Sequence, residues 1–281
     1  MNNMYTNLKK LVRTWFPGRV NPAEWQDRLS KFYATNEAYH VMTATSGKET
    51  HPQVQLLLSM TRPGGCYAEV GCGGGAVARL LGRQAKIHGF DVSPIAIAKA
   101  KAATMTEQAV FECVEGAHLP LANATVDGCY SFEVLEHIWD PISVIQEMVR
   151  IVKPGGFILI SMPNWFSLDF HLKKRVFARV CEIGMALIHY CGALVSRRAY
   201  WNLSPCLNGP VYPDCDMVST LNPLRIHGIF RRLGCKVEFV DSTYMCANRE
   251  EVTPGLDFQR LTSRAVFRHF GDHFLILAIK Q

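Results

Sequence analysis

Between Cys66 and Leu81 the chain changes character twice within sixteen residues. A short run, Cys66-Tyr67-Ala68-Glu69-Val70, gives way to Gly71-Cys72-Gly73-Gly74-Gly75, and an apolar-periodic segment, Ala76-Val77-Ala78-Arg79-Leu80-Leu81, follows at once. The pattern predicts strand, tight turn, helix. Glycine lets the turn take positive φ and lets a ligand approach bare backbone. The helix aims its unpaired N–H groups at whatever lies there. A nucleotide-type pocket at the carboxyl edge of a parallel sheet is the expectation.

The turn alone does not choose the nucleotide. Written Gly71-x-Gly73-x-x-Ala76, it also passes as a dinucleotide fingerprint. A second strand, Ile87-His88-Gly89-Phe90-Asp91, ends in an acid 20 residues past Gly71. An acid there can accept hydrogen bonds from both ribose hydroxyls. Its plainer role would be a helix-start acid. Ser93-Pro94 then opens a helix, as cap and first-turn proline.

Further along stand Glu115-Gly116-Ala117-His118-Leu119-Pro120-Leu121, then Val126-Asp127-Gly128-Cys129-Tyr130-Ser131-Phe132-Glu133-Val134-Leu135-Glu136-His137, then Lys153-Pro154-Gly155-Gly156-Phe157-Ile158-Leu159-Ile160-Ser161-Met162-Pro163. In this order and spacing the set strongly resembles the class I S-adenosylmethionine-dependent methyltransferases, in particular their small-molecule, type 11 branch. The resemblance covers residues 54–163. It implies an α/β Rossmann-like fold. The mostly parallel seven-stranded sheet would carry helices on both faces and close with two last strands, one of them antiparallel. The implied cofactor is S-adenosylmethionine, with S-adenosylhomocysteine as product. The charges agree. Glu69, Asp91, Glu115 and Glu133 are all carboxylates, which suit a ligand bearing a sulfonium and an ammonium and repel a pyrophosphate.

The resemblance also implies roles. The turn, with Gly71, Cys72, Gly73 and Gly75, would face the methionine end of the cofactor, and Glu69 would support the turn or reach the ammonium. Asp91 and Val92 would hold the ribose region. Glu115, where the family usually has Asp, would accept from the adenine amine beside Gly116 and Ala117. Glu133, at a strand tip, would contact cofactor or substrate. His137 is the candidate general base for an oxygen acceptor, since imidazole exchanges protons near neutral pH; a strand-tip cap is its other reading. Asp140, His118, His171 and Asp216 are weaker candidates.

The remaining chain divides by pattern. Residues 1–60 read as helical segments over the active site. Met4, Leu8, Leu11, Val12 and Trp15 share one helical face, and Lys9, Lys10, Arg13 and Arg19 meet no acid. A helix packed on the core is expected there, ahead of a membrane-surface helix or a presequence. Tyr33, Tyr39 and His40 are candidate pocket residues. Residues 61–163 form the cofactor-binding core. Residues 164–222 leave the strand–helix alternation and read as an inserted lid, where Trp165, Phe166, Phe170, Trp201 and Tyr212 are candidate acceptor contacts. Within it, Val176–Val195 is long enough to span a bilayer, yet Arg179, Glu182 and His189 oppose a span. An amphipathic lid helix is expected, with an interfacial helix flanked by Lys173-Lys174-Arg175 and Arg197-Arg198 as the second reading. Residues 223–281 return to the sheet.

Composition narrows partners. A net charge of +6 over 281 residues, with no basic–aromatic patch, gives no reason to expect nucleic acid. Ten cysteines form no CxxC pair, so reduced thiols in a cytosolic setting and no metal are expected. The expected activity is methyl transfer to a bulky or lipophilic small molecule, at oxygen first and nitrogen second. A phenol, a quinone precursor, a natural-product scaffold and a sugar unit all fit. A catalytically silent cofactor-binding partner and an NAD-dependent oxidoreductase are the readings from other classes.

Overall fold

The computed structural model describes residues 22–36, 51–105, 107–164, 176–205, 207, 215–243 and 273–281. The expectations for residues 1–21, and for Tyr39, His40, Trp165, Phe166, Phe170, His171 and Tyr212, fall outside them. Two helices, α1 (Pro22–Thr35) and α2 (Pro52–Met60), precede the core. Then come β1 (Cys66–Val70), α3 (Ala76–Leu81), β2 (Lys86–Asp91), α4 (Pro94–Ala102), β3 (Ala109–Cys113) and β4 (Val126–Phe132). After β4 stand a 3₁₀ turn (Leu135–His137), α5 (Pro141–Ile151) and β5 (Val152–Pro163). Next are α6 (Val176–Val195), β6 (Tyr200–Asn202), β7 (Ser219–Leu221), a 3₁₀ turn (Pro223–Arg225), α7 (Ile226–Arg232), β8 (Cys235–Thr243) and β9 (His273–Lys280).

Seven strands form one sheet in the order β3-β2-β1-β4-β5-β9-β8. β1 to β5 pair in parallel, and β9 runs antiparallel to both β5 and β8. Strand order reverses at β1, which lies between β2 and β4. That crevice is where ligands bind in doubly wound sheets.

Both faces are covered. α2, α3 and α4 bury Val54, Leu57, Val77, Ala78, Leu81, Ile97 and Ala100 on one side. α5 and α7 bury Val144, Ile145, Met148, Ile226, Ile229 and Phe230 on the other. The central strands are buried on both faces, which explains the unbroken apolar run Phe157–Ile160. The predicted start of α4 holds, and α5 opens the same way. Ser93 Oγ accepts from Ala96 N at 3.2 Å, and Asp140 accepts from Ile142 N and Ser143 N, each followed by proline.

Three local features depart from simple strand–helix alternation. Lys153-Pro154-Gly155-Gly156 belongs to β5 and is no separate turn, because Val152 already pairs with Val126 ahead of a register shift. Ahead of β8, a 3₁₀ turn runs directly into α7, with Asn222 accepting from Leu224 N. Within 164–222 the chain adds β6 and β7, a two-stranded antiparallel ladder that periodicity did not predict.

Candidate active site

Four strand ends build the site at the carboxyl edge of the sheet. At β1, the turn folds back on β2: Gly71 N and Cys72 N both donate to Phe90 O, at 2.7 and 2.9 Å. Gly71 is fixed twice over. Its φ is +75°, and a Cβ there would lie 2.2 Å from Val134 Cγ2. Gly73 also has positive φ, but a Cβ there would meet open space, so its backbone is bare toward the pocket.

Asp91, at the end of β2, braces this turn. Its Oδ2 accepts from Gly73 N and its Oδ1 from Ser93 N, both at 2.8 Å. A carboxylate oxygen can accept more than one hydrogen bond. Beside it Val92 is 52% exposed, an apolar face where most such residues are covered. Glu115 and Gly116 are exposed and Ala117 half-buried. Asp91 and Glu115 both raise the Cys113 thiol, after burial, and Glu69 and Asp91 both raise Cys72, again after burial. Glu69, Asp91 and Glu115 are therefore electrostatic neighbours, and Cys72 is a neutral thiol. Glu69 itself is 5% exposed, with Oε2 accepting from Tyr130 OH at 3.2 Å. Burial first, then Glu69, push the Tyr130 phenol well above its ordinary range.

Glu133 follows β4 with φ +57°, a left-handed conformation that a non-glycine side chain rarely adopts. Strain of this kind collects at functional sites. Its carboxylate accepts from Ser161 Oγ at 2.7 Å and lies 2.9 Å from His273 Nε2. The sequence reading missed both partners. His273 could have been found from topology: it opens β9, which runs antiparallel beside β5 and sets His273 opposite Pro163.

His137 ends the 3₁₀ turn, three residues beyond Val134, which lies against Gly71. Its Nδ1 lies 3.2 Å from Asp216 Oδ2, and its Nε2 3.5 Å from Glu136 Oε1. Both carboxylates are 1% exposed. Tyr33 OH donates to Asp216 Oδ2 at 2.9 Å. The Nδ1 separation is within hydrogen-bond reach, yet no bond is formed, a slackness common before ligands close a site. The sequence ranked Asp216 low and missed Glu136. The insert that carries Asp216 is stitched to the turn: Val218 N donates to Glu136 O and Ser219 Oγ to Leu135 O.

Other candidates fall elsewhere. His118 is a surface side chain paired with Glu147, and Asp140 serves as the α5 cap. Trp201 is half-buried on β6, packed against the core. Among the described residues no group of three or more His, Cys, Asp or Glu could hold a metal.

The donor set fits S-adenosylmethionine: bare backbone at Gly73, a carboxylate at a second strand end, acidic neighbours, and an exposed valine for an apolar ring. Strand order and site together define the class I methyltransferase fold. Residues 68–160 match the family model of a methyltransferase domain, and the fold around them is that of the class I S-adenosylmethionine-dependent methyltransferases. A ubiquinone biosynthesis O-methyltransferase from Vibrio cholerae is 35% identical over 116 residues, 40% of this chain and 45% of that protein. One of the same name from Pectobacterium atrosepticum is 38% identical over 101 residues, 34% of this chain and 42% of that protein. The chain spans about half the length of the curated relatives it matches. An S-adenosylmethionine-dependent methyltransferase from Mesorhizobium loti shares the fold, with a TM-score of 0.55 at 16% identity over 83% of this chain and all of that one.

Proposed function

We propose that this protein transfers a methyl group from S-adenosylmethionine to a hydroxyl of a bulky or lipophilic small molecule. The observation that carries the reading is His137, held against the buried carboxylate of Asp216 and one turn from the glycine loop. The similarity to two O-methyltransferases supports it over part of the chain. Bound at the turn, S-adenosylmethionine supplies an electrophilic methyl group.

The protein's own residues do the rest. Asp91 accepts from ribose hydroxyls, Glu115 from the adenine amine, and Val92 covers a ring face. Methyl transfer is an in-line displacement, so positioning supplies much of the acceleration. In this reading His137 takes the acceptor's hydroxyl proton on Nε2, Asp216 beside Nδ1 favours the tautomer that leaves Nε2 its lone pair, and Glu136 Oε1, 3.5 Å from Nε2, stabilises the imidazolium that forms. Glu133, clamped by Ser161 and His273, lines the acceptor side.

Calorimetric titration with S-adenosylmethionine and with NAD tests the donor, and saturable binding of the first alone is expected. Binding of NAD with no response to S-adenosylmethionine overturns the reading. Mass analysis of products from a panel of phenols, sugars and amines tests the acceptor atom. His137→Gln is expected to lower O-methylation about 10²-fold or more. Turnover within a few-fold of wild type removes His137 from the mechanism.

A further inference from the structure

α6 turns an apolar side outward. Among the described residues seven large hydrophobic side chains stand exposed, and four of them fall in the last nine residues of this helix. They are Leu187 (51%), Ile188 (51%), Leu194 (52%) and Val195 (82%), and the exposed Cys191 lies between them. At about 100° per residue the five positions span an arc of about 120°. The anchoring side lies opposite: Ala193 is fully buried and Tyr190 packs on the core. Helices of water-soluble domains turn their polar side outward. A contiguous exposed apolar stripe marks an interaction surface.

Charge identifies the occupant. Arg197 and Arg198, both exposed, follow the stripe directly. The sequence holds no acid from Ile183 to Pro213, and Lys173-Lys174-Arg175 precede the helix. An apolar stripe followed at once by two exposed arginines matches a surface that is anionic at its rim and hydrocarbon beneath. The helix is no span, since no helix of the described residues is long and apolar enough to cross a membrane.

We infer that the C-terminal half of α6 docks on an anionic lipid surface, its aliphatic side chains at the acyl boundary and the two arginines among the headgroups. This surface is separate from the cofactor pocket, and its test does not need the acceptor. The same insert carries Asp216, which lies beside His137.

Co-sedimentation of the full chain with phosphatidylglycerol and with phosphatidylcholine vesicles is the experiment. Pelleting with the anionic vesicles at low salt is expected, with release at high salt. R197Q/R198Q is expected to weaken binding about fivefold per charge removed. L187E/L194E is expected to abolish it while melting temperature and S-adenosylmethionine binding stay at wild-type values. If wild type itself does not bind S-adenosylmethionine, the proposed donor fails and the vesicle result stands by itself. Equal binding to both vesicle types, no pelleting, or undiminished binding by L187E/L194E overturns the inference. So does a dimer that this variant dissociates, which assigns the stripe to a second copy of the chain.

Discussion

Single residues carry more than one duty in this molecule, and Glu147 shows how that can be measured. Its carboxylate accepts from Arg150 Nε and Nη2, both at 2.7 Å, and from Leu119 N at 3.0 Å. Arg150 also donates to Leu119 O and Leu121 O. The pair thus pins the loop after Glu115 to α5. The Arg150 hydrogen bonds, opposed by burial and aided by Leu119 N–H, push the Glu147 carboxyl down from 4.5 to about 2. A carboxyl held low in the folded state contributes stability that is present above its unfolded value. That contribution is lost as pH falls from 4.5 toward about 2. Arg150→Met removes the cause, so its stability deficit against wild type is expected to be largest above pH 5 and to shrink through that window. Urea denaturation at pH 6 and near pH 3 checks it, and a deficit independent of pH would show that the guanidinium acts only through the carbonyls. Legibility at this scale was uneven. Asp91 could be read because a strand end and a fixed spacing point to it. Glu136 could not, because a buried carboxylate inside Leu135-Glu136-His137 looks like any polar residue of a turn.

At the scale of elements, local pattern and long-range pairing separate cleanly. The βαβ units from Cys66 to Ile151 were legible because each strand, cap and helix announces itself within a dozen residues. β6 and β7 were not, since three residues carry no period, and their pairing joins Tyr200 to Leu221 across the insert. Asn222 shows what replaces periodicity there. It is fully buried, its Nδ2 donates to Ala193 O and Arg198 O, both at 3.2 Å, and its Oδ1 accepts from Leu224 N at 3.1 Å. Its own N–H donates to Ala199 O. One side chain therefore ties the end of α6, the approach to β6 and the start of the turn before α7. Arg225 adds two more bonds to the carbonyls of Leu194 and Ser196, satisfying the helix end that lacks partners of its own. Asn222→Ala strands several buried groups at once, and a loss of about 2–3 kcal/mol is expected. The midpoint of chemical denaturation reads this directly, and a change below about 0.5 kcal/mol would mean that water takes over the bonds.

Across the whole molecule, the site is assembled from segments that the sequence keeps far apart. The candidate cofactor residues lie at successive strand ends between Glu69 and Glu133, where local pattern made their placement legible. The proposed acid–base half was not: Tyr33 reaches Asp216 across 183 positions, and Asp216 lies beside His137 because Val218 and Ser219 are bonded to the turn that carries it. An N-terminal helix, the sheet core and the insert thus meet at one imidazole. Two explanations compete. Asp216 either orients a working base or merely fastens the insert to the core, and Asp216→Asn separates them. Asparagine keeps the size and one acceptor oxygen, so fastening survives in large part. It lacks the charge that favours Nδ1–H, so the lone pair on Nε2 is no longer secured. An orienting role predicts S-adenosylmethionine affinity within about twofold of wild type, a near-native melting temperature, and O-methylation lowered about 10²-fold. Tyr33→Phe, which removes only a bond to the carboxylate, is expected to act in the same direction and more weakly. A fastening role predicts the reverse order: a lower melting temperature with turnover nearly intact. Imidazole ¹⁵N chemical shifts of His137 add a readout that fastening alone cannot move, because the tautomer changes only if Asp216 had set it.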